Sequence, residues 1–132
     1  MLLRLQDRAA GDTGQVGMEL GYRPIPEYEY WFADVAFVSR DRWDAVPLKG
    51  NLPGPPELVV EVLSPSNTPA EIARKKKLCL ESGGVEFWVV DSDAATIEVA
   101  AADGRTVTYR PGQHIPIFFS PGASISVDAI LG

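Results

Sequence analysis

Apolar positions along the chain fall into short blocks, some alternating with polar residues and some continuous, separated by Gly- and Pro-rich punctuation. This pattern predicts a strand-dominated chain with one well-marked helix. In residues 15–22, Val16, Met18, Leu20 and Tyr22 alternate with Gly17, Glu19 and Gly21, the period-two signature of a half-buried strand. Residues 28–38 form a second strand, rich in aromatic and β-branched side chains. Residues 58–63 (Leu58-Val59-Val60-Glu61-Val62-Leu63) form a third, with the composition of a strand buried on both faces and prolines on either side. Thr68, Pro69 and Glu71 then supply an N-cap, a first-turn proline and a capping-box acid for a helix that Gly83-Gly84 terminates. A strand over residues 86–91 follows, so strand, helix and strand imply a crossover on a mixed sheet. Residues 96–101 and 105–110 flank Asp103-Gly104, a hairpin signal. Residues 115–119 and 125–131 finish the chain as a short strand and a short terminal element. Residues 39–54 read as a long loop or helical turn, and residues 1–14 as a loose end without a sustained period. The expected fold is α/β (α+β): a mixed sheet with a crossover helix and a C-terminal β-hairpin, forming a single domain over residues 1–132.

Two acids interrupt this pattern. Glu61 stands in the middle of an apolar strand, where an ionised carboxylate is costly unless a Lys or Arg satisfies it, a cation binds it, or it stays protonated. Asp34 sits among aromatic and β-branched residues, and Asp is a poor strand former. Alone, Asp34 would be explained by a bulge, an edge or an ion pair. Two such acids on consecutive strands make each other's ionisation harder unless a cation lies between them, which points to a metal site. The helix carries Arg74-Lys75-Lys76-Lys77. At about 100° per residue, Lys75 and Lys76 border the apolar stripe of Ile72 and Cys79, while Lys77 points away. One of the first two can therefore lean toward the sheet. Cys79 on that stripe reads as core packing, Asp91 as turn chemistry, and His114, the only histidine, lies far in sequence from the acids.

Composition narrows the function classes. A single cysteine excludes an internal disulfide and a cysteine-based zinc cluster. No apolar run approaches membrane-spanning length and no signal peptide is recognisable, which places the protein in the cytoplasm. A net charge of −6 argues against a nonspecific nucleic-acid coat, whose affinity comes from neutralising phosphates. It leaves room for a local basic patch, for which Arg40, Arg42, Arg74 and the helix lysines are the candidates.

The succession of Ala33-Asp34-Val35, then Glu61-Val62-Leu63-Ser64-Pro65-Ser66, a lysine-bearing helix and Phe87-Trp88-Val89-Val90-Asp91 resembles the PD-(D/E)XK nuclease superfamily, and within it the Uma-type restriction-endonuclease family. The resemblance runs from about Val16 to the end of the chain. It implies a restriction-endonuclease-like fold whose usual N-terminal helix is abbreviated here. It also implies a metal-dependent endonuclease that hydrolyses DNA phosphodiester bonds, with Mg²⁺ or Mn²⁺ as cofactor. Asp34 matches the motif's aspartate, with Ala33 where proline is usual, and Glu61 matches the second acid. Leu63 stands where the lysine is expected. The family spacing moves that lysine to the following helix, four residues before an aromatic whose place Cys79 takes, and so selects Lys75. Asp34, Glu61 and the Val62 backbone carbonyl would hold the metal, and Lys75 would complete the catalytic set. A homodimer is the further expectation, since such folds often pair to reach two strands. The rival reading is an inactive nuclease fold acting as a protein- or nucleic-acid-binding module. In it Asp34, Glu61 and Lys75 form an ion-pair network, and aromatic residues 28–32 offer an interface.

Overall fold

Alternation of β-branched and aromatic residues gives the central strands one face each for two separate cores, and the sheet they form sits between them. The computed structural model describes residues 14–23, 31–46 and 52–132. Strand β1 (Gly14–Arg23) pairs antiparallel with β2 (Trp31–Ser39), and β2 pairs antiparallel with β4 (Leu58–Val62). The helix α2 (Pro69–Glu81) then crosses over to β5 (Glu86–Asp91), which runs parallel to β4. Strands β6 (Thr96–Ala101) and β7 (Thr106–Tyr109) continue the sheet antiparallel, and the two-residue β3 (Leu52–Pro53) lies beside β1. The resulting order is β3-β1-β2-β4-β5-β6-β7, a mixed sheet of seven strands. A separate pair, β8 (His114–Pro116) and β9 (Ser124–Ser126), precedes the terminal helix α3 (Val127–Leu131).

One core, on the face away from α2, joins Val35, Phe37, Val60, Trp88 and Val90 to the C-terminal segment through Ile115, Ile117, Phe119 and Val127. Phe119 stacks on Phe37 with ring centroids 3.7 Å apart, which pins that segment to the sheet. The other core packs Tyr22, Trp31, Ala33, Ala36, Val38, Val59 and Phe87 against Ile72 and Cys79 of α2. The helix starts as its residues dictate, with Pro69 in the first turn and Thr68 Oγ1 accepting the Glu71 N–H at 3.1 Å. It ends where Gly83 takes φ +118° and the Gly84 N–H returns to the Cys79 carbonyl at 2.8 Å.

Several expectations need correction. The strict alternation expected across residues 15–22 fails at Glu19, which adopts φ +50°. Val16 lies in one core whereas Leu20 and Tyr22 pack into the other, and Met18 is exposed. The partner strand turns over at the same level, so that Trp31 and Ala33 join Ala36 and Val38 on the helix side although their parity differs. Two odd and two even positions can share a face only if the strand twists between them, and Asp34 stands at that seam. The second strand begins at Trp31, and its expected residues 28–30 lie outside the described residues, as do residues 1–13. Within residues 39–54 the helical turn, one of the two expectations, forms as α1 (Arg40–Asp44), and only β3 after it is unexpected. The expected strand over residues 115–119 is shorter, because Ser120 N–H bonds back to the Ile117 carbonyl and closes a turn. Residues 125–131 divide into the end of β9 and α3, capped by Ser126. The 96–110 hairpin forms, with Gly104 at φ +94° and its N–H on the Ala101 carbonyl.

Candidate active site

The β2–β4 ladder pairs Val35 with Val60, and one step further out the antiparallel register sets Asp34 opposite Glu61. On the other flank Glu61 pairs with Val89 of β5. Here the ladder gives way to a side chain, since the Val62 N–H donates to Asp34 Oδ2 at 2.7 Å. That bond fixes the Asp34 carboxylate beside β4. Asp34 is half-buried, and Glu61, 4% exposed, is the only buried charged residue among the described residues.

Lys75 reaches this pair from α2. Its Nζ lies 3.5 Å from Glu61 Oε1, an ion pair outside hydrogen-bond geometry, so Oε1 remains buried with no hydrogen-bond partner. Burial pushes the Glu61 carboxyl up to about 7, opposed by the Lys75 ammonium and reinforced by the adjoining Asp34 carboxylate. Helix geometry left Lys75 and Lys76 both able to face the sheet, and both do, toward different strands: Lys76 Nζ pairs with Glu98 on β6 at 3.0 Å. Lys77 is exposed. The structure thus brings Asp34, Glu61, the Val62 backbone and Lys75 to one place.

Supporting residues that the sequence marked as packing positions lie behind Lys75. One turn along α2, Cys79 Sγ lies 3.4 Å from the Tyr22 hydroxyl, both buried, and Tyr22 meets Trp31 edge-on at 6.2 Å. Burial raises the Cys79 thiol to about 11 and raises Tyr22 as well, so both are neutral and serve as packing under the acid pair. Their only sequence signal was apolar character.

Other candidate residues are committed elsewhere. Arg42 donates to the carbonyls of Pro53 and Pro55, each at 2.8 Å, and to Glu57 Oε1 at 2.9 Å. Arg40 donates to the Gly14 carbonyl at 3.0 Å and pairs with Asp44. The reading of these arginines as phosphate contacts therefore gives way to one as staples holding α1 to neighbouring backbone, because unpaired carbonyls near the surface compete for guanidinium donors. Asp91 Oδ1 accepts the Ala94 N–H, a turn role, and His114 is exposed at the start of β8.

The mixed sheet with its crossover helix is an architecture shared with a nuclease-like fold. In a solved structure described as a putative nuclease belonging to DUF820 from Anabaena variabilis, the same fold recurs with a TM-score of 0.82 and 17% identity, covering 98% of this chain and 75% of that one. Residues 2–131 match the Uma2 family, described as "Putative restriction endonuclease", and the chain belongs to that family. Among curated proteins, none matches the sequence. No helix among the described residues is long and apolar enough to cross a membrane.

Proposed function

We propose that this chain is a metal-dependent endonuclease that hydrolyses DNA phosphodiester bonds. The observation that carries the reading is Glu61 Oε1, buried without a hydrogen-bond partner beside a second carboxylate and the lysine it ion-pairs with. A buried carboxylate oxygen left without a donor is costly, and a cation satisfies it. Among the described residues no three His, Cys, Asp or Glu side chains converge as a metal-binding group. Mg²⁺, however, is commonly held by one or two carboxylates with water and substrate oxygens completing its shell, and the donors here are hard oxygens of that kind.

Asp34, Glu61 and the Val62 carbonyl would hold Mg²⁺ or Mn²⁺. Bound there, the ion would polarise a phosphoryl oxygen and lower the pKa of the attacking water. The Val62 N–H keeps Asp34 Oδ2 directed along β4, so that residue's orientation does not depend on the ion. Lys75 supplies three rotatable donors on a flexible stem, suited to orienting the water and offsetting charge that builds on the phosphate in the transition state. Packing of Tyr22 and Cys79 under the helix keeps Lys75 over the acids, and small displacements of such groups cost large factors in rate.

The inactive binding-module reading has one observation in its favour: the Lys75–Glu61 ion pair can stabilise the site without a metal. The two readings separate on supercoiled plasmid at low salt with Mg²⁺ or Mn²⁺. Nicking by the wild type that is lost in Glu61→Gln and Lys75→Ala supports the nuclease. Equal nicking by all three would identify a contaminant, and none by any would favour the binding module.

A further inference from the structure

The seven-stranded sheet has two edges, and they are built differently. At one end stands β3, two residues long, whose Pro53 has no N–H to offer a further strand. At the other stands β7, Thr106-Val107-Thr108-Tyr109, all strand formers with no proline, glycine or charge among them. Soluble proteins usually blunt an exposed edge with such residues, a bulge or a cover, because its open N–H and C=O groups invite another strand. The residues of β7 supply no such device.

The register identifies which backbone groups are open. The Ala101 N–H donates to the Arg105 carbonyl at 2.8 Å, and at alternate positions beyond it Val99 stands opposite Val107 and Ile97 opposite Tyr109. In an antiparallel ladder the backbone groups of Arg105, Val107 and Tyr109 therefore point at β6, and those of Thr106 and Thr108 point away. Among the described residues none bonds to these outward groups. The next outward N–H, that of Arg110, is taken by Gln113 Oε1 at 2.6 Å, which ends the open stretch after Thr108. Between the two threonines Val107 is 46% exposed.

We infer that β7 pairs antiparallel with β7 of a second copy of this chain, about a two-fold axis at Val107. In that register Thr106 lies opposite the second copy's Thr108 and Thr108 opposite its Thr106, so every outward N–H and C=O of both threonines finds a partner. Val107 meets its own counterpart at a non-hydrogen-bonded position, where side chains approach most closely and cover each other. Arg105 comes to face the second copy's Tyr109, a cation against an aromatic ring, with no like charges opposed. Neighbouring registers do worse. An axis at Thr106 sets Thr108 against Gly104, whose N–H is held by the Ala101 carbonyl, and an axis at Thr108 sets Thr106 against Arg110, whose N–H is held by Gln113. Assembly closes at two, because the edges left over are the β3 strands that Pro53 blunts. So short a ladder makes a small interface, and association depends on protein concentration. The inference is independent of the nuclease reading.

Analytical ultracentrifugation of the full chain over a range of concentrations tests it. The wild type should pass from the mass of one chain to that of two as concentration rises. Thr108→Pro removes an outward N–H without touching the bonds to β6, and Val107→Lys sets two ammonium groups opposite each other. Both should stay at the mass of one chain throughout. Cysteine variants read the register. Opposed Cα atoms of a non-hydrogen-bonded pair lie about 4.5 Å apart, within the roughly 4.4–6.8 Å that a disulfide spans. Val107→Cys should therefore give a disulfide-linked dimer on mild oxidation. Thr106→Cys and Thr108→Cys should not, since each lies diagonally, roughly 7–8 Å, from its own counterpart. Cys79 is buried and should take no part. A wild type that stays at one chain at every concentration would overturn the inference and leave the edge to a strand of another protein. A dimer that survives both Thr108→Pro and Val107→Lys, or that fails to cross-link through Val107→Cys, would overturn it as well.

Discussion

A carboxyl group whose protonated form is favoured by burial makes the folded state lose stability as pH rises. Glu61 has that character, with its ordinary value of 4.5 raised to about 7. Below about 4.5 it is protonated in both folded and unfolded chains and imposes no penalty. Between 4.5 and about 7 the unfolded chain gives up the proton while the folded protein retains it, so stability falls through that window. Above it the full cost is present, on the order of 3 kcal/mol. Metal-free protein should therefore melt lower at pH ~8 than at pH ~5, and Glu61→Gln should flatten that dependence. A slope unchanged in the variant would place the titration elsewhere. Lys75→Met should steepen it, since the ammonium is what favours the ionised acid, and its cost should be larger at the higher pH.

Glu19 makes a different point at the same scale. A non-glycine residue at φ +50° costs on the order of 1 kcal/mol, and here it lies where β1 and β2 change faces beside Asp34. Glu19→Gly should raise the melting temperature by relieving that strain, despite the extra freedom glycine gives the unfolded chain. A lower melting temperature would show that the conformation is comfortable for glutamate. Nothing in the residue type announces this turn of the backbone, which is why alternation put Met18 inside and the structure leaves it outside. The two acids, by contrast, were legible, because the cost of a carboxylate among strand formers is a local property. Trp31 and Tyr22 were legible only as core, since their support of α2 exists once distant segments meet.

Among the elements, α2 was the most readable, its cap and its terminating glycines being chemistry within a few residues. Thr68→Ala should cost about 1 kcal/mol by removing the Glu71 N–H acceptor. Gly84→Ala should cost more, as a Cβ there would stand 2.7 Å from the Cys79 carbonyl oxygen and neither backbone can give way cheaply. Which lysine of α2 meets Glu61 was not decided by helix geometry, which turns both Lys75 and Lys76 toward the sheet; the family spacing made that choice. Arg42 shows the limit of reading charge as function. It ties α1 to the carbonyls of Pro53 and Pro55, so Arg42→Ala should lower stability by about 2 kcal/mol, seen by chemical denaturation.

For the whole molecule, topology and charge set the terms on which a phosphate could approach. The crossover between β4 and β5 lays α2 over the acid pair, so lysine and carboxylates from distant parts of the chain share one face. A net charge of −6 keeps long-range attraction to nucleic acid weak, and with few cations beside the acid pair the affinity should be low and its slope against salt shallow. The account turns on whether Asp34 and Glu61 bind a divalent cation, and thermal melting with and without Mn²⁺ at pH ~8 measures this most directly. A ligand of the native state stabilises it by mass action, by about 2.7 kcal/mol at one hundred times its dissociation constant, and so raises the melting temperature. The expected result is a rise for the wild type, smaller at pH ~5 where Glu61 holds its proton, and absent in Asp34→Asn and Glu61→Gln. An equal rise in both variants, or none in the wild type, would contradict it.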